Sequence, residues 1–235
     1  MNHCRQNSGM TQALIIRRPA GSLMSSDMGW LSLRDHFIAT VGPYAGKGSS
    51  DRHLLVLADA TIAPGSRFPL HPHRDMEILT WVVSGDLDHH DDQGHSAVIP
   101  SGHLQLMSAR DGLVHAEGNR HAAAVRLLQI WLRPDTRGGA PFYATAALEG
   151  SGFQLLAARE GAPLPLLQDV RLYAARLHGG AHELSVPVGH TVYAVSIGEL
   201  AWNGQKCGDG DGLFIGSGDI TVKGSGQAIV LIQAQ

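Results

Sequence analysis

Two pairs of residues in this chain have the chemistry and spacing to hold a cation. The first is His71 and His73, within "GSRFPLHPHRDMEILTWVVSG" (65–85). The second is His115 and Glu117, within "SARDGLVHAEGN" (108–119). Side chains two apart on a strand point to the same face. Each pair therefore presents its two donors side by side. Pro69 and Pro72 remove backbone donors and stiffen the approach to the apolar run "EILTWVV". Hairpins of a barrel can bring the two pairs together, giving three imidazoles and one carboxylate. That set suits a mononuclear borderline divalent ion: Fe(II), Cu, Mn, Ni, Zn or Co. It does not suit Mg²⁺ or Ca²⁺, which prefer oxygen shells.

Other residues compete for places in the set. Histidine is the commonest metal ligand, and the chain has 14, several of them between 71 and 121. Glu77 shares the parity of His71 and His73, and His103 follows the turn "PSG". Either is an alternative to His115 or Glu117. His89, His90 and His95 lie in the Asp-rich "DLDHHDDQGH" (86–95), which reads as a solvated hairpin tip. His121, after "EGNR", reads as part of a turn. Metal-bound imidazoles normally have their second nitrogen held by a partner, and Asp75 is a candidate for that. Met76 and Trp81 are assigned to packing.

The elements that must position these donors read as strands. The 29 glycines and 11 prolines recur at short intervals along 235 residues. Between them lie short runs rich in Val, Ile, Leu and Thr, such as "HLLVLADATI", "SAVIPSG", "HTVYAVSIG", "GLFIGSG" and "AIVLIQ". This pattern predicts an all-β chain of sandwich or barrel type. "VRLLQIWLRP" (125–134) is apolar at nearly every position, as in a strand covered on both faces. The Gly-rich "DTRGGAP" that follows reads as a linker. We expect two domains, 1–134 with the metal chemistry and 145–235 without it. "PFYATAALE" (141–149) is the one stretch where a helix is expected. "DGDG" near 210 lacks the full spacing of a calcium loop and reads as tight turns.

Bulk composition narrows the function. The formal charge is -3 and no Lys/Arg run is present, which argues against direct nucleic-acid binding. No run of about 20 apolar residues predicts a membrane helix. The two cysteines, Cys4 and Cys207, form no CxxC pair, so a reducing, cytoplasmic setting is expected.

The same stretches resemble known motifs. "GSRFPLHPH" and "GHSAVIPSGHLQ" are similar to the two cupin motifs, except that Gln105 stands where a cupin usually has its last histidine. "HPHRDMEILTWVVSG", "GHLQLMSARDGLVHAEGN" and "VRLLQIWLRP" together resemble the pirin family, in which a glutamine at that place is usual. "GWLSLRDHF" (29–37) is a diverged likeness to the pirin N-terminus. The resemblance implies a bicupin whose second domain lacks metal. It implies His71, His73, His115 and Glu117 as ligands of one ion, most often Fe(II). It also implies opening of a flavonol ring by O₂, as in quercetin 2,3-dioxygenase, with Glu117 as general base. Gln105 would then face substrate or a bound water. The alternative implied by the family is a metal-dependent redox switch acting on a protein partner.

Overall fold

The computed structural model describes residues 12–38 and 52–234, and among these no α-helix forms. The strands make three sheets of seven, five and eight members. The seven-stranded sheet runs in the order Phe142–Ala147, His103–Ser108, Glu77–Ser84, Val125–Leu132, Leu54–Ile62, Leu31–Phe37, Met24–Asp27. Every neighbouring pair in it is antiparallel. In the five-stranded sheet, Leu113–Asn119 pairs with Ser66–Arg67, His71–His73 and Asp86–Asp91, and Asp86–Asp91 also pairs with Ser96–Pro100. The eight-stranded sheet is built mostly from residues after 150, and its edge strand is Ile15–Arg18.

Period-2 alternation explains how the layers stack. Along Glu77–Ser84, Leu79, Trp81 and Val83 face one way and join Leu156, Leu172, Val195 and Leu231 of the C-terminal half in the largest core cluster. Ile78 and Val82 face the other way, into two smaller clusters with the five-stranded sheet. The seven-stranded sheet is thus the shared middle layer, buried on both sides. Val125–Leu132 lies near its centre, as the continuous apolar run predicts.

The C-terminal half is carried by two 17-residue strands, Val170–Val186 and Gly218–Ala234. Their register shifts between His178 and Ala181, where Gly179 and Gly180 take φ of 69° and 71°. The same sheet supplies a separate core around Trp202, Leu213 and Val222. Directed polar contacts join the halves. Trp81 Nε1 donates to Gln227 Oε1 at 3.1 Å, and Gln227 Nε2 donates to the Val83 carbonyl at 3.1 Å. Arg126 bridges Asp59 and Asp209, at 2.8 and 2.9 Å.

One secondary-structure expectation is overturned. Residues 142–147 form a strand, not a helix, paired with His103–Ser108 from Ser108↔Phe142 to His103↔Ala147. The alanines favour helix, but pairing with His103–Ser108 satisfies a sheet edge that would otherwise be open. The "DGDG" segment is a turn, with Gly210 at φ 79°. Asp211 there accepts from Arg17 and from the Ala20 and Gly208 amides. Cys207 is a buried free thiol, and Cys4 lies outside the described residues.

Candidate metal centre

The two predicted pairs meet by direct strand pairing. His71–His73 lies antiparallel to Leu113–Asn119, with His71 opposite His115 and His73 opposite Leu113. Ring centroids are 4.5 Å apart for His71 and His115, 4.9 Å for His71 and His73, and 5.1 Å for His73 and His115. One nitrogen of each imidazole lies within 4.8 Å of the other two. His71 Nδ1 donates to the Pro69 carbonyl at 2.8 Å, which leaves Nε2 as a lone pair. His73 Nε2 and both nitrogens of His115 are buried without a hydrogen-bond partner.

Burial, reinforced by neighbouring imidazoles, lowers His73 to a pKa of about 4 and His115 to about 3. Both rings are therefore neutral at pH 7, the form that ligates cations. Unpaired buried nitrogens are costly, so the unpartnered nitrogens of His73 and His115, grouped with one nitrogen of His71, fit a bound ion.

Glu117 lies deeper, at 3% exposure. Its Oε1 accepts from Gln105 Nε2 at 2.6 Å and from Thr80 Oγ1 at 3.4 Å. Its Oε2 accepts from Gln129 Nε2 at 2.7 Å. Gln105 is oriented in turn by the Tyr143 hydroxyl, which donates to Gln105 Oε1 at 3.1 Å. The neighbouring Gly118 permits this geometry, because a Cβ there would overlap Arg67 where the two strands meet. Glu117 falls within 4.8 Å of donor atoms of His115 and His89, forming a second group. The four residues expected to share one ion thus occur as two overlapping groups joined at His115.

Several sequence expectations change here. Glu77 does not face this pocket. It points into the junction with the C-terminal half, where its carboxylate accepts the Leu167 and Gln168 amides at 2.7 and 3.0 Å. The parity argument fails because Asp75, at φ 49°, interrupts the strand between His73 and Glu77. Glu77→Ala would leave two amides without acceptors and is expected to cost about 2–4 kcal/mol in denaturant unfolding. Asp75 accepts from the Gly138 amide at 3.2 Å; the Pro69 carbonyl, not Asp75, steadies His71. His103 belongs to neither donor group.

The hairpin tip also differs from expectation. His90 is exposed, but His89 is 1% exposed and lies opposite Glu117 across the sheet. Alternation along Asp86–Asp91 turns Leu87, His89 and Asp91 inward, a signal present in the sequence but masked by the density of aspartates. Gln129, Tyr143 and Trp131 are the further polar and aromatic contributors. Tyr143 stacks on His89 at 4.5 Å between centroids, and Trp131 meets His73 edge-on at 5.0 Å. Among the described residues no helix is long and apolar enough to cross a membrane.

Comparison with known proteins agrees with this architecture. The pirin family model matches residues 18–132, and a model described as the quercetinase C-terminal cupin domain matches residues 155–232. A pirin-like protein of Caulobacter vibrioides is 36% identical, covering 71% of this chain and 75% of its own length. A quercetin 2,3-dioxygenase of Escherichia coli K12 is 32% identical, covering 86% of this chain and 90% of its own. The crystal structure of the bacterial pirin YhhW from Escherichia coli, in complex with nickel(II), superposes with a TM-score of 0.83. It is 28% identical and covers 94% of this chain and 99% of that one. With both halves matched in order and the HxH and HxE pairs of the first half facing one interior, the chain belongs to the pirin family.

Proposed function

We propose that this protein is a metal-dependent dioxygenase that opens a flavonol-type ring with O₂, of the quercetin 2,3-dioxygenase kind. The observation that carries the reading is the meeting of three imidazoles on two paired strands, with a carboxylate clamped by two side-chain amides beside His115. His71, His73, His115 and Glu117 would hold the ion, with Fe(II) the proposed identity. A bound divalent ion lowers the pKa of a hydroxyl at its open positions and supplies the redox centre for O₂ chemistry.

The remaining roles belong to the chain. Glu117 takes the proton of the flavonol 3-hydroxyl on a carboxylate oxygen. Gln105 and Gln129 hold that carboxylate in place, and the Tyr143 hydroxyl fixes the direction of the Gln105 amide. Trp131 and Tyr143 offer aromatic surface beside the imidazoles, suited to a planar phenolic substrate. Both atoms of O₂ enter the ring-opened product, and one ring carbon leaves as carbon monoxide. We assign the metal domain to residues 1–134 and the metal-free one to 145–235, with Ile15–Arg18 lent to the eight-stranded sheet and Phe142–Ala147, which crosses the boundary, paired onto the seven-stranded one. A reducing, cytoplasmic location fits the free Cys207.

The test is aerobic quercetin turnover alongside metal analysis of the purified protein. Wild type is expected to carry one transition ion and release carbon monoxide. His73→Ala is expected to lose metal and to lower turnover by more than ~100-fold, beyond the effect of losing an outer partner. Full metal loading with no turnover of any flavonol would defeat the reading.

A further inference from the structure

We propose that His89, His115 and Glu117 form a second cation station, able to hold a borderline divalent ion such as Co²⁺ or Zn²⁺ without His71 and His73. One donor atom from each lies within 4.8 Å of the others, and all three side chains are buried. The station sits one strand step from the first. His71 faces His115 across one rung of the sheet, and Glu117 faces His89 across another, two residues along the same strand.

Three features point to a ligand. His89 Nε2 donates to Asp91 Oδ2 at 3.1 Å, while its Nδ1 is buried without a partner. An imidazole held by a carboxylate through one nitrogen, with the other free, is the usual arrangement of a metal-binding histidine. Asp91 is itself fixed by the Gln93 and His95 amides, at 3.0 and 2.9 Å, and Tyr143 stacked on His89 holds the ring plane. Second, neither nitrogen of His115 has a hydrogen-bond partner, so the ring's one lone pair is free for this ion when His71 and His73 are absent. Third, Glu117 has about four acceptor positions. Gln105, Thr80 and Gln129 occupy three, which leaves one for a cation, at this station or at the first but not at both together.

The experiment uses the full chain. His71→Ala/His73→Ala, freed of metal, is titrated with Co²⁺ and followed by visible absorption and calorimetry. One Co²⁺ per chain is expected, more weakly held than in wild type, with a d–d band. Adding His89→Gln, which keeps a side-chain donor for Asp91, is expected to weaken binding by at least ~10-fold. A folded double variant, judged by circular dichroism, that binds no Co²⁺ would overturn the proposal. So would binding that His89→Gln leaves unchanged, since the ion would then sit elsewhere. Either failure leaves wild-type flavonol turnover untouched, so this proposal and the dioxygenase reading fail separately.

Discussion

Replacing His115 with alanine is expected to abolish tight metal binding altogether. His115 is the one residue common to both donor groups. Its loss removes the imidazole that links His71 and His73 to Glu117, and leaves an incomplete shell for a borderline divalent ion. Replacing an outer partner of a metal ligand typically costs 10–100-fold in affinity, and removing the shared ligand should exceed that range. Turnover should fall with the metal. The fold should persist, because neither imidazole nitrogen is engaged by another protein group. Titration with Ni²⁺ or Co²⁺, with circular dichroism as the control, checks the result. Unchanged metal uptake in a folded His115→Ala protein would show that the ion does not bind here.

The largest stability effect is expected at Trp81. Its side chain is fully buried in the core that joins the two halves. Its indole N–H meets Gln227. Trp81→Ala creates a cavity and leaves the Gln227 acceptor unpaired, at a cost of about 3–5 kcal/mol. For a chain of this size each kcal/mol moves Tm by roughly 2–4 °C, so a fall of ~10 °C is expected in calorimetry. Trp81 faces away from the imidazoles, so metal affinity at 25 °C should stay close to wild type. A loss under ~1 kcal/mol would mean that the two halves do not depend on a common core.

The all-β class, the covered strand at Val125–Leu132 and the side-by-side placing of His71 and His73 were legible in the sequence because each rests on local periodicity. Spacing of two forces neighbouring side chains onto one face wherever the strand is unbroken. Glu77 shows the limit of that logic. A single left-handed residue, Asp75, interrupts the strand, and spacing from the histidines does not reveal the break. His89 shows a different limit. Polarity of "DLDHHDDQGH" suggested solvent, yet alternation buries Leu87, His89 and Asp91, with His89 stacked on Tyr143. Gln129 and Tyr143 reach Glu117 and Gln105 through long-range pairing between strands, which no local pattern announces. The helix expected over 141–149 fails for the same reason: the partner strand decides, not the segment's own preference.

The edge strand Ile15–Arg18 carries a consequence for how this protein is made. Ile15 lies opposite Ile215, so this strand finds its mate only after residue 215 has been made. Such long-range closure is slow relative to hairpin formation. Until it happens, Leu14 and Ile16, which stay exposed even in the finished molecule, belong to an unmatched apolar ribbon. Chains interrupted before residue 211 keep that ribbon permanently and should be prone to aggregate.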